Sequence, residues 1–344
     1  MKGDLLTVRN LRVIFHTYRG IIKALNGVNI WINKQERLGL VGETGCGKSV
    51  TSLSIMRLIE EPGEIINGEI IFDGKDLLKL SESEMMKIRG KEISMIFQEP
   101  ISALNPVFKV GYQIAEAIAH AENVSIKDAY GKVKDALEMV GLDWKRTMNL
   151  YPHELSGGMA QRVMIAMALV TKPKLLIADE PTTNLDATIQ AQVLDLIKNL
   201  VEEKSTSLIL ITHSLGVARE MSDRIFVMYG GNIVEIAPTG VFFKIPCHPY
   251  SQGLLKSIPR LSGEGNMKGI PGRMVDYLNP PKGCRFSPRC KNALSICYQK
   301  TPSIIEVEKG HYVACHMYKK QKIDKDVILS LIHISEPTRP LYIS

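Results

Sequence analysis

The sequence of 344 residues lacks any apolar run long enough to span a membrane. Its longest uninterrupted apolar stretch, Val163 to Val170, falls far short of the roughly 18 residues that a membrane helix needs. The first residues, Met1 to Leu6, also lack the apolar segment of a signal peptide. We therefore expect the chain to lie in the cytosol, where any role at a membrane requires a partner.

Cysteine and strong net charge are also scarce. Six cysteines in a reducing compartment predict thiols or metal ligands rather than disulfides. The net charge of +7 is mild for this length. It is compatible with a protein that lies near an anionic membrane surface or binds a nucleotide, and equally with an ordinary solvated surface. With 45% apolar residues the chain can bury a large core, which excludes a disordered protein.

Alternating strands and helices organise the larger part of the chain. The alternation of apolar and polar residues from Leu5 to Ile32 predicts antiparallel strands with one buried face. Further on, strands alternate with helices, which predicts a parallel sheet covered on both faces. The predicted strands are 37–41, 93–97, 175–178, 207–211 and 224–229, and the helices between them are 49–59, 187–203 and 215–221.

A mostly helical insertion interrupts this alternation. Helical periodicity runs from about Gly111 to Val170, with one segment predicted from Ser125 to Gly141 and another from near Ser156. After about Phe243 the composition changes to Pro, Gly, Arg and Cys, which indicates a second, smaller module.

The segment Gly-Glu-Thr-Gly-Cys-Gly-Lys-Ser at residues 42–49 matches the phosphate-binding loop pattern, between a predicted strand and a predicted helix. Its glycines let backbone N–H groups surround the phosphates, and the helix N-terminus adds the positive end of its dipole. Lys48 is predicted to contact the outer phosphates and Ser49 to ligate magnesium. An ordinary glycine-rich turn is the weaker alternative. The predicted nucleotide contacts here are Gly42, Glu43, Thr44, Gly45, Cys46, Gly47, Lys48, Ser49 and Val50.

A pair of carboxylates, Asp179 and Glu180, follows the apolar strand at residues 175–178. The carboxyl edge of a parallel sheet is where such folds bind ligands. Asp179 is predicted to hold magnesium, directly or through water, and Glu180 to polarise the attacking water. Considered by itself, the pair could equally well cap the next helix. The presence of the phosphate-binding loop in the same chain favours the catalytic interpretation.

The segment Leu-Ser-Gly-Gly-Met-Ala-Gln-Arg at residues 155–162 resembles the signature motif of ABC ATPases. Gln98, Asp186 and His213 stand where that family has its Q-loop, D-loop and switch histidine, in the same order. The resemblance implies an α/β P-loop NTPase fold of the ABC type, with a parallel-sheet core, an antiparallel β subdomain and an inserted helical subdomain.

In that family, two ATP molecules lie between two ATPase domains, and the signature of one domain binds the nucleotide of the other. The resemblance therefore implies that Ser156, Gly157 and Gly158 approach a γ-phosphate at a helix N-terminus. It also implies that Gln98 senses magnesium and that His213 holds the γ-phosphate against Glu180.

Tyr18 is an aromatic candidate for the nucleotide base. It stands about thirty residues before Lys48 and could stack on adenine. A surface aromatic at a strand edge is nearly as good an interpretation.

Beyond the ATPase core, several segments resemble the extension of oligopeptide and dipeptide transporter ATPases. These segments are 247–255, 269–272, 283–290 and 310–316, with a further similar stretch at 98–110. We therefore expect an ABC ATPase domain at 1–245, with a helical subdomain at about 100–168, and a small Cys-rich extension at 246–328.

Four cysteines of the extension, Cys284, Cys290, Cys297 and Cys315, form a candidate metal site. A loop-rich module with little core of its own gains most from such a cross-link. Some members of the resembled subfamily hold a [4Fe–4S] cluster at the equivalent cysteines, and four thiolates meet its requirement. Zinc, with His316 as a further ligand, is the second hypothesis, and four reduced thiols are the third.

The resemblance implies an ATPase that powers import of dipeptides or oligopeptides, with ATP and Mg²⁺ as cofactors. It also implies a second, different ATPase subunit, two transmembrane permease subunits, an extracytoplasmic solute-binding protein and a peripheral place at the cytoplasmic face of the membrane. An importer of nickel or another solute, and an ABC ATPase without a transport role, are the alternatives.

The segment 329–339 resembles the in-frame translation of a transposon-type sequencing adaptor. We therefore expect residues 329–344 to be an artefact and the natural sequence to stop near Ile328.

Overall fold

The computed structural model describes residues 4–257 and 269–318. The expected adaptor segment 329–344 and the last part of the expected extension, 319–328, lie outside the described residues. Within the two described ranges, no helix has both the length and the apolarity that crossing a membrane requires.

The described strands form two sheets. The four-stranded sheet has the order β2-β1-β4-β5 and is antiparallel, and the eight-stranded sheet has the order β11-β12-β10-β9-β3-β8-β7-β6. The strands are β1 Asp4–Thr17, β2 Gly20–Asn33, β3 Arg37–Val41, β4 Gly63–Phe72, β5 Lys75–Asp76, β6 Ile93–Ile96, β7 Leu175–Asp179, β8 Ser207–Thr212, β9 Arg224–Tyr229, β10 Asn232–Pro238, β11 Ile305–Glu308 and β12 His311–Val313.

Helices cover the larger sheet and fill the insertion between β6 and β7. They are α1 Lys48–Ile55, α2 Glu82–Ile88, α3 Pro100–Ala103, α4 Val110–Glu122, α5 Ile126–Ala129, α6 Val133–Met139, α7 Trp144–Thr147, α8 Gly157–Leu169, α9 Ala187–Glu203, α10 Leu215–Met221, α11 Thr239–Lys244, α12 Pro249–Lys256 and α13 Ser295–Gln299. Short 3₁₀ turns lie at Leu77–Lys79, Tyr130–Lys132, Pro152–Glu154 and Ser287–Arg289.

The central strands β6, β7, β8, β3 and β9 pair in parallel, and β3, β7 and β8 are almost fully buried. Burial on both faces explains why their sequences are continuous apolar runs rather than alternating ones. Because parallel strands end at the same edge, the loops that follow β3, β6, β7 and β8 come together there.

Two predicted helices are shorter than expected. The helix predicted at 49–59 ends at Ile55, because Arg57 adopts a left-handed backbone with φ 52° and donates to the carbonyl oxygens of Leu77 and Leu80. The segment predicted at 125–141 is divided by a 3₁₀ turn that contains Gly131, a residue that disfavours helix interiors.

The C-terminal extension joins the ATPase core directly. Its strand β12 pairs with β10, and β11 pairs with β12, so the extension continues the edge of the large sheet. Tyr250, Val275 and Phe286 pack in one buried cluster with Val41 and Tyr229 of the core. The extension therefore shares its hydrophobic core with the strands that carry the candidate site.

Candidate nucleotide-binding site

The loop after β3 turns tightly between the strand and α1. At Gly47 the backbone has φ 111°, a left-handed conformation that favours glycine. At Gly42 an added Cβ would lie 2.3 Å from the carbonyl oxygen of Met228. These two positions explain why the pattern requires glycine where the loop packs against the core.

Lys48 begins α1 and its side chain is buried under the loop, with only 4% of the residue exposed. Its Nζ donates to the carbonyl oxygens of Gly42, at 2.9 Å, and Glu43, at 3.1 Å. Burial raises the pKa of the neighbouring Cys46 thiol to about 11, against the opposing effect of the Lys48 charge. The ammonium group is thus held at the loop before any phosphate arrives, which is the preorganisation that an anion site needs.

Asp179 is the last residue of β7. In the sheet, β8 lies between β7 and β3. The residue is 4% exposed, and its Oδ1 is buried with no hydrogen-bond partner among the described residues. Burial raises the pKa of this carboxyl, while the Ser49 hydroxyl acts in the opposite direction. A buried carboxylate oxygen with an open coordination position fits a magnesium ligand, because burying an unpartnered charge is otherwise costly.

Glu180 follows Asp179 with a left-handed backbone, φ 46°. Its Oε1 lies 3.1 Å from Nδ1 of His213, and its Oε2 accepts hydrogen bonds from Nε2 of Gln98, at 3.3 Å, and from Oγ1 of Thr183, at 3.1 Å. Three predicted catalytic residues therefore meet at one carboxylate, although they follow three different strands.

An open cavity of about 300 Å³ lies between the loop and this carboxylate. Eight residues predicted from the sequence line it: Thr44, Gly45, Gly47, Lys48, Ser49, Val50, Gln98 and Glu180. Four further lining residues were not predicted: Phe15, Ile22, Ala24 and Tyr277. Apolar residues on one side and phosphate-binding groups on the other suit a nucleotide base and its phosphates.

Tyr18 lies in the turn between β1 and β2 and is 91% exposed. It is not among the described residues that line the cavity, where Phe15 and Ile22 of the adjoining strands are found instead. Stacking of Tyr18 on adenine therefore stays a prediction. Tyr277 comes from the extension, and no motif in the sequence connects it with the phosphate-binding loop.

Ser156 caps the N-terminus of α8, where its Oγ accepts from the backbone N–H of Met159 at 3.3 Å. Ser156 and Gly157 are exposed, and neither they nor Gly158 are among the described residues that line the cavity beside Lys48. Asp186, which caps α9, is exposed as well. The signature segment thus presents a helix N-terminus to the outside of this chain.

The four cysteines of the extension line one small cavity together with His316. Tetrahedral zinc with bonds of about 2.3 Å would hold its sulfurs about 3.8 Å apart. Among the described residues, however, the group of His, Cys and acidic ligand atoms that lies within 4.8 Å is Glu235, Cys247 and His311, and not the four cysteines.

Comparison with known proteins agrees with this geometry. Residues 25–183 match the family of ABC transporters, and residues 234–297 match the C-terminal region of oligopeptide/dipeptide transporters. The oligopeptide transport ATP-binding protein OppD of Bacillus subtilis is 50% identical over 90% of this chain and 87% of its own length. The dipeptide transport ATP-binding protein DppD of the same organism is 46% identical over 90% of this chain and 93% of its own.

Solved structures show the same likeness for the core. The dimeric ATP-binding cassette MJ0796, in a post-hydrolysis state bound to ADP and phosphate, is similar with a TM-score of 0.62 and 28% identity. That comparison covers 68% of this chain and 98% of the cassette. The structure of cbiO1 from Clostridium perfringens, part of the transporter complex cbiONQ, is similar with a TM-score of 0.59 and 27% identity, over 71% of this chain and 92% of that one.

Proposed function

The chain belongs to the ABC transporter family as a subunit that binds and hydrolyses ATP, and on this premise we propose that it powers the import of dipeptides or oligopeptides. The observation that carries the proposal is the match of residues 234–297 to the C-terminal region of oligopeptide/dipeptide transporters. Most of that region lies beyond the expected ATPase domain at 1–245, and it contains none of the ATPase motifs, so the match does not follow from them. Identities of 50% and 46% to the Bacillus oligopeptide and dipeptide proteins support the same substrate class.

The roles of the site residues follow from their positions. Lys48 and backbone N–H groups of the phosphate-binding loop bind the phosphates, and Glu180 accepts a proton from the attacking water as general base. His213 and Gln98 orient the carboxylate through their contacts with its two oxygens. Ser49, Asp179 and Gln98 would hold Mg²⁺, which neutralises the charge of the phosphates when it is bound.

A second ATPase subunit completes each site in this proposal. The signature residues Ser156, Gly157 and Gly158 are not among the described residues that line the nucleotide cavity of their own chain, and a helix N-terminus attracts a phosphate. They would therefore bind the γ-phosphate held by the other subunit, with Asp186 at the same boundary. On the resemblance to oligopeptide and dipeptide transporter ATPases, we propose that the other subunit is a related but different chain.

The assembly would also contain two transmembrane permease subunits and an extracytoplasmic solute-binding protein, with this chain at the cytoplasmic face of the membrane. A direct test reconstitutes the chain in proteoliposomes with its permease and ATPase partners and supplies the binding protein. Dipeptides or longer peptides should stimulate ATP hydrolysis and accumulate inside. Stimulation by nickel or a sugar, with no response to any peptide, would contradict the proposed substrate class.

We propose that Cys284, Cys290, Cys297 and Cys315 hold a [4Fe–4S] cluster. The support is that the four thiols line one cavity in the extension. Burial raises the pKa of the Cys284 thiol to about 11. A metal group would bind this sulfur as the thiolate. The cluster would cross-link the extension.

Anaerobically purified protein should contain iron and acid-labile sulfide in equal amounts, and Cys290→Ser should lose both. Cys247→Ser is the matched control, because Cys247 is not among the described residues that line that cavity. Protein that contains only zinc would overturn the cluster assignment.

A further inference from the structure

The C-terminal extension contacts the phosphate-binding loop at three points. The buried Tyr250 accepts a hydrogen bond from the backbone N–H of Glu43 at 2.8 Å, and Tyr277 donates one to the carbonyl oxygen of Gly45 at 2.7 Å. Arg289 forms two parallel hydrogen bonds with the Glu43 carboxylate, at 2.6 Å and 3.0 Å. The loop is therefore held from outside the ATPase core at two of its backbone positions and at its acidic side chain.

Arg289 is fixed in place independently of Glu43. Its side chain is only 5% exposed, and its Nε donates to the carbonyl oxygen of Pro271 at 3.0 Å. Its Nη2, which also donates to Glu43, donates to the carbonyl oxygen of Ile270 at 2.9 Å. The guanidinium also lies 5.7 Å from the ring centre of the buried Tyr229. A guanidinium held in this way presents its remaining N–H groups to a carboxylate without a further cost of ordering.

Glu43 carries a negative charge within a loop that binds a triphosphate. Left unpaired, this charge would repel the incoming nucleotide, and the effect is strong where the surroundings are partly buried. The Glu43 side chain is 29% exposed, so solvent screens it incompletely. The pair with Arg289 occupies both carboxylate oxygens and offsets their charge.

We propose that Arg289 is a positioning residue for ATP binding, which neutralises Glu43 and holds the phosphate-binding loop ready for the nucleotide. The extension is thereby a part of the nucleotide site. This inference rests on the ATPase activity but not on which solute is imported. Its consequence is that charge balance between the two residues controls nucleotide affinity more than it controls turnover.

The test measures binding of a fluorescent ATP analogue to the full-length chain, together with the KM and kcat of ATP hydrolysis. Arg289→Gln should weaken binding and raise KM by about tenfold, because the unpaired Glu43 repels the phosphates, while kcat changes by less than about twofold. Adding Glu43→Gln to the same chain should restore affinity to within about twofold of the original. Arg289→Lys keeps the positive charge but cannot form the two parallel hydrogen bonds with the carboxylate. Its affinity should lie between those of Arg289→Gln and the original chain.

Salt dependence separates charge from structural damage. The affinity difference between the original chain and Arg289→Gln should shrink at high ionic strength, since a repulsion is screened and a damaged fold is not. Lys291→Gln is the matched control, because Lys291 is exposed, lies two residues away and loses the same charge. It should bind the analogue as the original chain does.

Equal affinity in Arg289→Gln and the original chain would overturn the inference, as would a double variant no better than Arg289→Gln. If Arg289→Gln does not fold, the single variants Arg289→Lys and Glu43→Gln test the inference instead. At low salt, Arg289→Lys should bind the analogue more weakly than the original chain does. Glu43→Gln should bind it at least as tightly as the original chain. Failure of the original chain to bind the analogue would instead contradict the ATPase assignment itself.

Discussion

His213 and Glu180 are in direct contact: Nδ1 of the imidazole lies 3.1 Å from Oε1 of the carboxylate. The Glu180 side chain is 11% exposed and His213 is 58% exposed, so the histidine reaches the carboxylate from the open side. Gln98 reaches the other oxygen from the loop after β6. The orientation of the proposed general base is thus set by His213 and Gln98 from neighbouring loops and by Thr183 from its own loop, and its carboxylate cannot turn freely.

Replacing Glu180 by glutamine should stop turnover without preventing nucleotide binding. The amide keeps the size of the side chain but cannot accept a proton, so kcat should fall by at least about 100-fold. ATP affinity should stay close to that of the original chain, because Lys48 and the loop are unchanged.

This prediction is checked by steady-state ATP hydrolysis and by gel filtration with the cognate ATPase subunit in the presence of ATP and magnesium. The variant should remain in a nucleotide-bound pair. Glu203→Gln, an exposed change on α9, should hydrolyse ATP normally. Normal hydrolysis by Glu180→Gln would contradict the assignment of the base.

Asp179→Asn should weaken magnesium activation. The buried Oδ1 of Asp179 has no hydrogen-bond partner among the described residues, and an amide supplies a weaker ligand with no charge. The magnesium concentration for half-maximal ATPase activity should rise by about 10- to 100-fold. Asp195→Asn, an exposed change on α9, serves as the control. An unchanged magnesium requirement would remove Asp179 from the proposed metal site.

The ATPase core was predictable because its constraints are local. The boundaries of β3, α9 and α10 agree with those expected from apolar periodicity, and Ser81 and Glu84 form a capping box that can be recognised in the sequence. The loop at residues 42–49 carries its own pattern of glycines, because Gly42 leaves no room for a side chain and Gly45 and Gly47 adopt positive φ.

What the sequence did not reveal depends on contacts between distant segments. Tyr277 and Arg289 reach the phosphate-binding loop from more than two hundred positions away, as the separation of 246 between Arg289 and Glu43 shows. Nothing in their immediate neighbours indicates this contact. The same holds for Glu235, whose partners belong to the extension: a carboxylate on a strand is ordinarily predicted to face solvent.

Glu235 on β10 joins the core to the extension as a fully buried carboxylate, with 0% exposure. Its Oε1 lies 2.8 Å from Nε2 of His311, and its oxygens accept from the backbone N–H groups of Cys247, at 2.8 Å, and His248, at 2.7 Å. Burial alone would raise the pKa of Glu235, but the hydrogen bonds with His311, Cys247 and His248 lower it below its ordinary value of 4.5. The ionised form is therefore the one that the fold stabilises.

Glu235→Gln should destabilise the protein by about 3 kcal/mol, because the amide N–H₂ of glutamine would face donors where a carboxylate oxygen accepted them. A carboxyl group whose pKa is lowered on folding stabilises the folded state above its unfolded pKa, and this contribution is lost as the pH falls through the folded value. Chemical denaturation at several pH values should show the full difference between variant and original above about pH 4.5, and a shrinking difference below it. Glu308→Gln, an exposed change on β11, should show no such dependence. A difference that is independent of pH would mean that Glu235 acts through its shape and not through its charge.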